Sequence, residues 1–217
     1  MDGKMKRILV VDDHPIFRGG LVHLLSKEPD LIVVGEASSH REAMRIIRSE
    51  DIHLCLIDLT LGTSNGLSLV KSIAAEWPEM GILVISMHDE MLYAERSYRA
   101  GAHGYVMKDK PWQELLLSVH QVLFGQLSYS KQVGRLLFSD ANQHKSRGHS
   151  LSDRELEVFE MLGNGLRVKE IAVQLCVSPK TIESHVASIK RKLNIDNASA
   201  LVHRATLWHV SQREEMP

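Results

Sequence analysis

Short apolar runs alternate with helical patterns through the first 125 residues. The runs are Ile8–Val11, Leu31–Val34, Leu54–Ile57, Ile82–Ile85 and Gly104–Val106. Each is brief, rich in Val, Ile and Leu, and apolar at consecutive positions, which fits strands of a parallel sheet covered on both faces. Between them lie stripes at helical spacing: Phe17, Leu21 and Leu24; Ala43, Ile46 and Ile47; Leu67, Val70 and Ala74; and Leu115 to Leu123 after Pro111. Five such runs with helical stripes among them predict an α/β doubly wound domain with a five-stranded parallel sheet, flavodoxin-like, over residues 1–125.

The pattern weakens from Gly125 to Ser150. Ser128 to Phe138 has the spacing of one more helix, and the polar Ser139–Gly148 lacks periodicity, so 126–148 reads as a linker, partly helical. Beyond it the period is helical throughout. Ser152 and Glu155 form a capping box before Leu156, Phe159 and Leu162; Gly163-Asn-Gly165 ends that helix. Val168, Ile171, Ala172 and Leu175 make a second stripe. Ser178 and Pro179 start a third helix, with Ile182, Val186, Ile189 and Leu193 inward. A fourth follows Asn197 and carries Leu201, Ala205 and Trp208. A small all-α four-helix domain is expected over 149–213.

With 26 Lys and Arg against 27 Asp and Glu, the chain is near neutral. The charge is uneven, however. The first 125 residues are acidic, whereas Arg167, Lys169, Lys180, Lys190, Arg191 and Lys192 crowd one stretch near the C-terminus, a local basic stripe suited to nucleic acid. No apolar run approaches the roughly 20 residues that span a bilayer, and the first residues are too short for a signal peptide before the first strand; no membrane partner is expected. Cys55 and Cys176 lie far apart in apolar segments and read as buried free thiols, which suits a reducing cytoplasm. His144 and His149, the nearest to a histidine pair, have no Cys or carboxylate neighbours to make a metal cluster.

In an open α/β sheet the site lies beyond the carboxyl ends of the strands. Those ends supply Asp12 and Asp13, Asp58, Ser86 and Lys108. Clustered carboxylates repel one another, and a hard divalent cation such as Mg²⁺ relieves this. It would also neutralise an incoming phosphoryl group and leave one carboxylate as nucleophile. A lysine can pair with the added phosphate and a serine hydroxyl can donate to it. The loop Asp58-Leu-Thr60 has some likeness to haloacid-dehalogenase-type phosphatases. Those need an acidic residue where Thr60 stands, and they leave the Asp12-Asp13 pair without a role.

The motifs Val10-Val-Asp-Asp-His-Pro15, Ile57-Asp-Leu59, Val84-Ile-Ser-Met-His-Asp-Glu90 and Ala100-Gly-Ala-His-Gly-Tyr-Val-Met-Lys108 resemble the receiver domain of response regulators, from about Lys6 to Gly125. The resemblance implies that Asp58 accepts a phosphoryl group from the phosphohistidine of a sensor histidine kinase. It implies Mg²⁺ held by Asp13, Asp58, the backbone carbonyl of Thr60 and, partly through water, Asp12. Ser86 and Tyr105 match the switch pair, and Lys108 the lysine that contacts the phosphoryl group. Such a domain catalyses only its own phosphoryl transfer and dephosphorylation. Receivers usually carry Met-Pro where this chain has Leu61-Gly62, a change expected to loosen the loop and to alter phosphorylation rate and lifetime. A regulator governed by protein partners or expression level is the reading that this change favours.

On pattern alone the last domain is either a protein–protein module with solvated charges or a helix-turn-helix, whose second helix turns polar and basic residues towards DNA. On a helical wheel Lys180, Ser184, Ala187, Ser188 and Arg191 oppose the apolar stripe. The segments Leu151-Ser-Asp-Arg-Glu155, Lys169-Glu-Ile-Ala172, Leu175–Val186 and Ile189-Lys-Arg-Lys-Leu193 resemble the LuxR-type output domain of the NarL/FixJ family. The resemblance implies contacts to double-stranded promoter DNA from Lys180, Thr181, Ser184, Lys190 and Lys192, with bases read around Glu183, Ser184 and Ala187. His185 falls near the buried flank, where a structural or phosphate role is expected. The family also implies a homodimer on two half-sites, with one face of the last helix free to pair two copies.

Overall fold

In the computed structural model, residues 5–61, 64–138 and 151–214 are described. The chain forms two compact units, residues 1–139 and 140–217. The first contains β1 (Lys6–Val11), α1 (Pro15–Leu25), β2 (Leu31–Ala37), α2 (His40–Ser49), β3 (Leu54–Ile57), β4 (Thr60–Leu61), β5 (Ser64–Asn65), α3 (Gly66–Glu76), β6 (Gly81–Ser86), α4 (Glu90–Ala100), β7 (Gly104–Met107), α5 (Trp112–Leu123) and α6 (Lys131–Phe138). The second contains α7 (Asp153–Gly163), α8 (Val168–Gln174), α9 (Pro179–Leu193) and α10 (Ala198–Glu214).

Five parallel strands form one sheet in the order β2-β1-β3-β6-β7. Alternation along the strands divides the core into two layers. Ile8, Val10, Leu54, Leu56, Leu83 and Ile85 pack with Leu21 and Leu25 of α1 and Leu115, Val119 and Val122 of α5. Leu9, Val11, Cys55, Ile57, Ile82 and Val84, at the alternate positions, are equally buried. The edge strand β2 departs from the expected burial on both faces: Ile32 is exposed and only Leu31 and Ala37 are buried, because one side of an edge strand has no neighbour to cover it. Side-chain caps fix where helices begin. Ser39, Asn65 and Asp89 accept from backbone N–H groups of α2, α3 and α4, which satisfies donors that have no partner in the helix.

Residues 126–138, expected as linker, are bound to the first unit. Ser128 N–H donates to the His103 carbonyl at 2.9 Å, and Tyr105 N–H donates to the Ser128 carbonyl at 2.9 Å. The chain thus adds a short parallel bridge at the free edge of β7. Tyr129 Oη donates to Ala102 O at 2.7 Å and its ring meets Tyr98 of α4 edge-on. Val133 of α6, 1% exposed, is buried by the packing of α6 on α4. Periodicity could show the helix but not this docking, since the bonds come from backbone groups. The polar stretch 139–150, with His144 and His149, lies outside the described residues.

In the second unit Ser152 accepts from Glu155 N–H while the Glu155 carboxylate accepts from Ser152 N–H, the expected capping box. Helices α7 and α10 pack closely because Gly163 has no side chain; a Cβ there would lie 2.7 Å from the Ala205 carbonyl oxygen. Leu201 and Ala205 are buried and Val202 is exposed, as the two-faced reading of α10 required, whereas the side chain of Trp208 lies outside the described residues. Cys176 corrects an expectation: it is exposed, not buried. It occupies the turn after α8 with φ 51°, and Val177 N–H donates back to the Ala172 carbonyl at 2.9 Å. That closing bond needs a left-handed residue, so Leu175, at 1% exposure, takes the interior position beside it.

Candidate functional site

The first candidate site lies where β1, β3, β6 and β7 end. Asp12 and Asp58 are buried immediately after β1 and β3, Ser86 closes β6, and Lys108 follows β7. Lys108 Nζ lies 2.6 Å from Asp12 Oδ2 and 2.8 Å from Asp58 Oδ2, and its side chain is only 4% exposed. Burial pushes the Asp58 carboxyl up to about 6, against the opposing pull of the Lys108 ammonium and the Thr60 backbone N–H. A buried carboxylate costs free energy unless charge and hydrogen bonds offset its lost hydration. One lysine shared between two carboxylates offsets it only in part.

The loop after Asp58 is tied down at both ends. Thr60–Leu61 and Ser64–Asn65 form an antiparallel ribbon, and Leu59 and Leu61 are buried. Gly62 and Thr63, the centre of the expected loosening, lie outside the described residues. Gly66 is required by packing: a Cβ there would stand 2.1 Å from the Asp58 carbonyl oxygen. Thr60 Oγ1 lies 3.3 Å from His88 Nε2. Ser86 Oγ accepts from His88 N–H at 3.2 Å, and the buried Tyr105 donates its hydroxyl to the His88 carbonyl at 2.8 Å. Both switch candidates therefore meet at His88, which links their strand ends.

Three further residues reach this pocket. His14 Nδ1 stands 2.8 Å from Asp13 Oδ1, 3.5 Å from Asp12 Oδ1 and 3.9 Å from Asp58 Oδ2. Phe17 sits under Lys108 Nζ, with its ring centroid 4.5 Å away, a cation–π contact that steadies the ammonium. His88 is the third. Adjacency to Asp13 was a usable signal for His14, and its place two residues after Ser86 was one for His88. Phe17 reads from the sequence only as a core residue. Asp12, Asp13, His14 and Asp58 each offer one ligand atom, all within 4.8 Å of one another, so this cluster could bind a metal ion.

The second candidate site is the outer face of α9. Ser178 Oγ accepts from Thr181 N–H at 3.1 Å and lies 2.8 Å from Thr181 Oγ1, which fixes the helix start. Ile182 and Ile189 are buried; Lys180, Thr181, Glu183, Ser184, Ala187 and Arg191 are exposed, and Lys190 and His185 are half-buried. Two expected outward residues turn elsewhere. Lys192 Nζ lies 2.5 Å from the buried Glu155 Oε2, and Ser188 also hydrogen-bonds Glu155. Burial opposes ionisation of Glu155, but the bonds from Lys192, Ser188 and Ser152 outweigh it and hold the carboxyl at about 2. Lys192 and Ser188 thus fasten α9 to α7, while Lys192 itself stays exposed.

Comparison with known proteins identifies the two domains that carry these candidate sites. Residues 8–120 match the response regulator receiver domain, and residues 149–205 match the bacterial regulatory proteins of the luxR family. The chain belongs to the NarL/FixJ family of response regulators, in which a receiver domain precedes a LuxR-type DNA-binding domain. It is similar to the transcriptional regulatory protein UhpA of Salmonella typhimurium, 34% identical over 92% of this chain and 97% of the relative. It is also similar to the response regulator GacA of Pseudomonas aeruginosa, 31% identical over 88% and 91% of the two chains. A solved structure of RcsB from Salmonella enterica, bound to promoter rprA in the presence of phosphomimetic BeF3-, is 27% identical over 94% of this chain and 99% of that one, with a TM-score of 0.63. Among the described residues no helix is long and apolar enough to cross a membrane.

Proposed function

We propose that this protein is a phosphorylation-controlled transcriptional regulator that accepts a phosphoryl group on Asp58 and binds promoter DNA through α9. The observation that carries the reading is the Asp12–Lys108–Asp58 cluster at the carboxyl ends of β1, β3 and β7. An oxygen of Asp58 forms a bond to phosphorus as the P–N bond of a sensor kinase's phosphohistidine breaks, and the electron pair leaves with the imidazole. Asp13, Asp58, the Thr60 carbonyl and Asp12 would hold Mg²⁺, which when bound neutralises charge on the phosphoryl oxygens. Lys108, released from its bond to Asp58, pairs with the added phosphoryl group. Ser86 Oγ turns from His88 towards it, and Tyr105 follows. That shift alters the face around Met91–Ala100 and favours a homodimer on two half-sites. The chain catalyses no reaction besides its own phosphorylation and dephosphorylation and works in the bacterial cytoplasm. A phosphatase of the dehalogenase type lacks its acid, because Thr60 occupies that position.

The test is intact-mass measurement after incubation with acetyl phosphate and Mg²⁺. One phosphoryl group is expected on the wild type and none on Asp58→Ala, with chelation preventing the reaction. An adduct that persists in Asp58→Ala would overturn the assignment. DNA binding of both proteins then shows whether phosphate controls the output. Equal stimulation in the variant would favour a regulator governed by other means.

A further inference from the structure

The oxygen ligands proposed above leave His14 Nδ1, which lies 2.8 Å from Asp13 Oδ1, unassigned. We propose, resting on the reading of this pocket as a divalent-cation site, that His14 is a ligand of the bound cation and raises the site's affinity for first-row transition metals such as Mn²⁺ and, more strongly, Co²⁺ relative to Mg²⁺. An octahedral ion with bonds of about 2.1 Å places adjacent ligand atoms about 3.0 Å apart and opposite ones about 4.2 Å apart. His14 Nδ1 stands 2.8, 3.5 and 3.9 Å from oxygens of Asp13, Asp12 and Asp58. The Asp13 distance is close to the adjacent-ligand spacing and the Asp58 distance approaches the opposite-ligand spacing, while the Asp12 distance lies between the two, so small side-chain movements bring His14 and the carboxylates onto one ion.

The local chain holds the imidazole there. His14 N–H donates to Asp12 Oδ1 at 2.8 Å, and Pro15 at the first position of α1 fixes the turn into the helix. The side chain is 64% exposed, so an ion from solvent meets it on entry. An imidazolium paired with the carboxylates would have the same geometry, and metal chemistry separates the two. Imidazole adds little for Mg²⁺, which favours oxygen donors and keeps its waters. Affinity for a nitrogen-containing set rises from Mn²⁺ to Co²⁺ and beyond. His14 therefore sets which ion the pocket prefers, in addition to the carboxylates that set its charge.

The experiment uses the full chain without a histidine tag, with Mn²⁺ alone as the probe. The electron paramagnetic resonance signal of free Mn²⁺ gives the affinity, and pulsed measurement detects ¹⁴N coupled to the bound ion. One site displaced by Mg²⁺ is expected, with nitrogen coupling in the wild type and none in His14→Ala. Mn²⁺ affinity should fall about tenfold in that variant, and Co²⁺ affinity further, while Mg²⁺ affinity stays within about twofold. His14→Asp should restore Mn²⁺ affinity without the nitrogen signal. Mn²⁺ that Mg²⁺ displaces but that shows no coupling, or coupling that survives in His14→Ala, overturns the role of His14 and leaves the pocket intact. Mn²⁺ binding that neither Mg²⁺ nor Asp13→Asn diminishes overturns the pocket reading itself.

Discussion

The two candidate sites are built in opposite ways. The receiver pocket gathers Asp12, Asp58, Ser86 and Lys108 from four strand ends and buries nearly all of them. The proposed DNA-contacting site is a run along one helix, with Lys180, Thr181, Glu183, Ser184 and Ala187 exposed. Burial makes the first site electrostatically costly and dependent on exact neighbours, because each charge has lost its water. The second keeps its water and needs only a rigid rod to present it. Substitutions should therefore act on folding and titration in the pocket, and on affinity and salt dependence along α9.

The largest expected effect tests how little slack the pocket has. Gly66→Ala pushes a methyl group against the Asp58 carbonyl, 2.1 Å away, and the Leu59 Cα, 2.7 Å away. It should destabilise the receiver by more than about 3 kcal/mol and leave the second unit's melting transition unchanged. Two transitions in calorimetry, with only one displaced, is the expected record.

Next, the Asp58 carboxyl is pushed up to about 6 from its ordinary 3.8. A raised acid favours the folded state while protonated, so its cost is fully present above about 6 and is relieved as the pH falls towards 3.8. Without metal, Asp58→Asn should be more stable than the wild-type receiver by about 2–3 kcal/mol at pH 8, with the difference vanishing near pH 4. Burial also lowers the half-buried His103 from its ordinary 6.5, which costs stability as the pH falls below that value. Present in both proteins, it cancels from the difference. Chemical denaturation across pH measures it.

On the other side of the comparison, Lys192 is a third exposed but faces a buried Glu155. Lys192→Met should cost the second unit about 2 kcal/mol, less than a fully buried pair because solvent screens the lysine. Glu155, held at about 2 from its ordinary 4.5, is a depressed acid. Its stabilisation is present above 4.5 and is lost as the pH falls towards 2, and Glu155→Gln should flatten that acid limb. The smallest effect is that of Lys180→Ala, about 1 kcal/mol or less in DNA affinity. Its slope of log affinity against log salt should drop by about 1, without loss of thermal stability.

How legible each site was follows from the same contrast. Parallel strands announce themselves as apolar runs, and an open sheet's topology places their carboxyl ends together, so Asp12, Asp58, Ser86 and Lys108 could be collected from the sequence alone. Cross-element contacts carry no such period. A helical wheel treats α9 as a free rod, and nothing in it reveals that Glu155 from α7 lies over Ser188 and Lys192. His14 is a partial omission: its adjacency to Asp13 was a usable signal, and only its approach to Asp58, which is distant in sequence, was hidden. Cys176 looked apolar because of its neighbours, whereas the turn that it closes decides its exposure.

The bridge that Ser128 makes along β7 has a bearing on where this chain can be cut. β7 is the last strand of the sheet, and Ser128 occupies the His103 carbonyl and the Tyr105 N–H that would otherwise point outward. Cleavage after Gly125 would strip that cover and bare a strand edge, a ready template for a strand of another molecule. The self-sufficient receiver accordingly ends with α6 at Phe138, and a fragment ended thirteen residues earlier should associate edge to edge in solution.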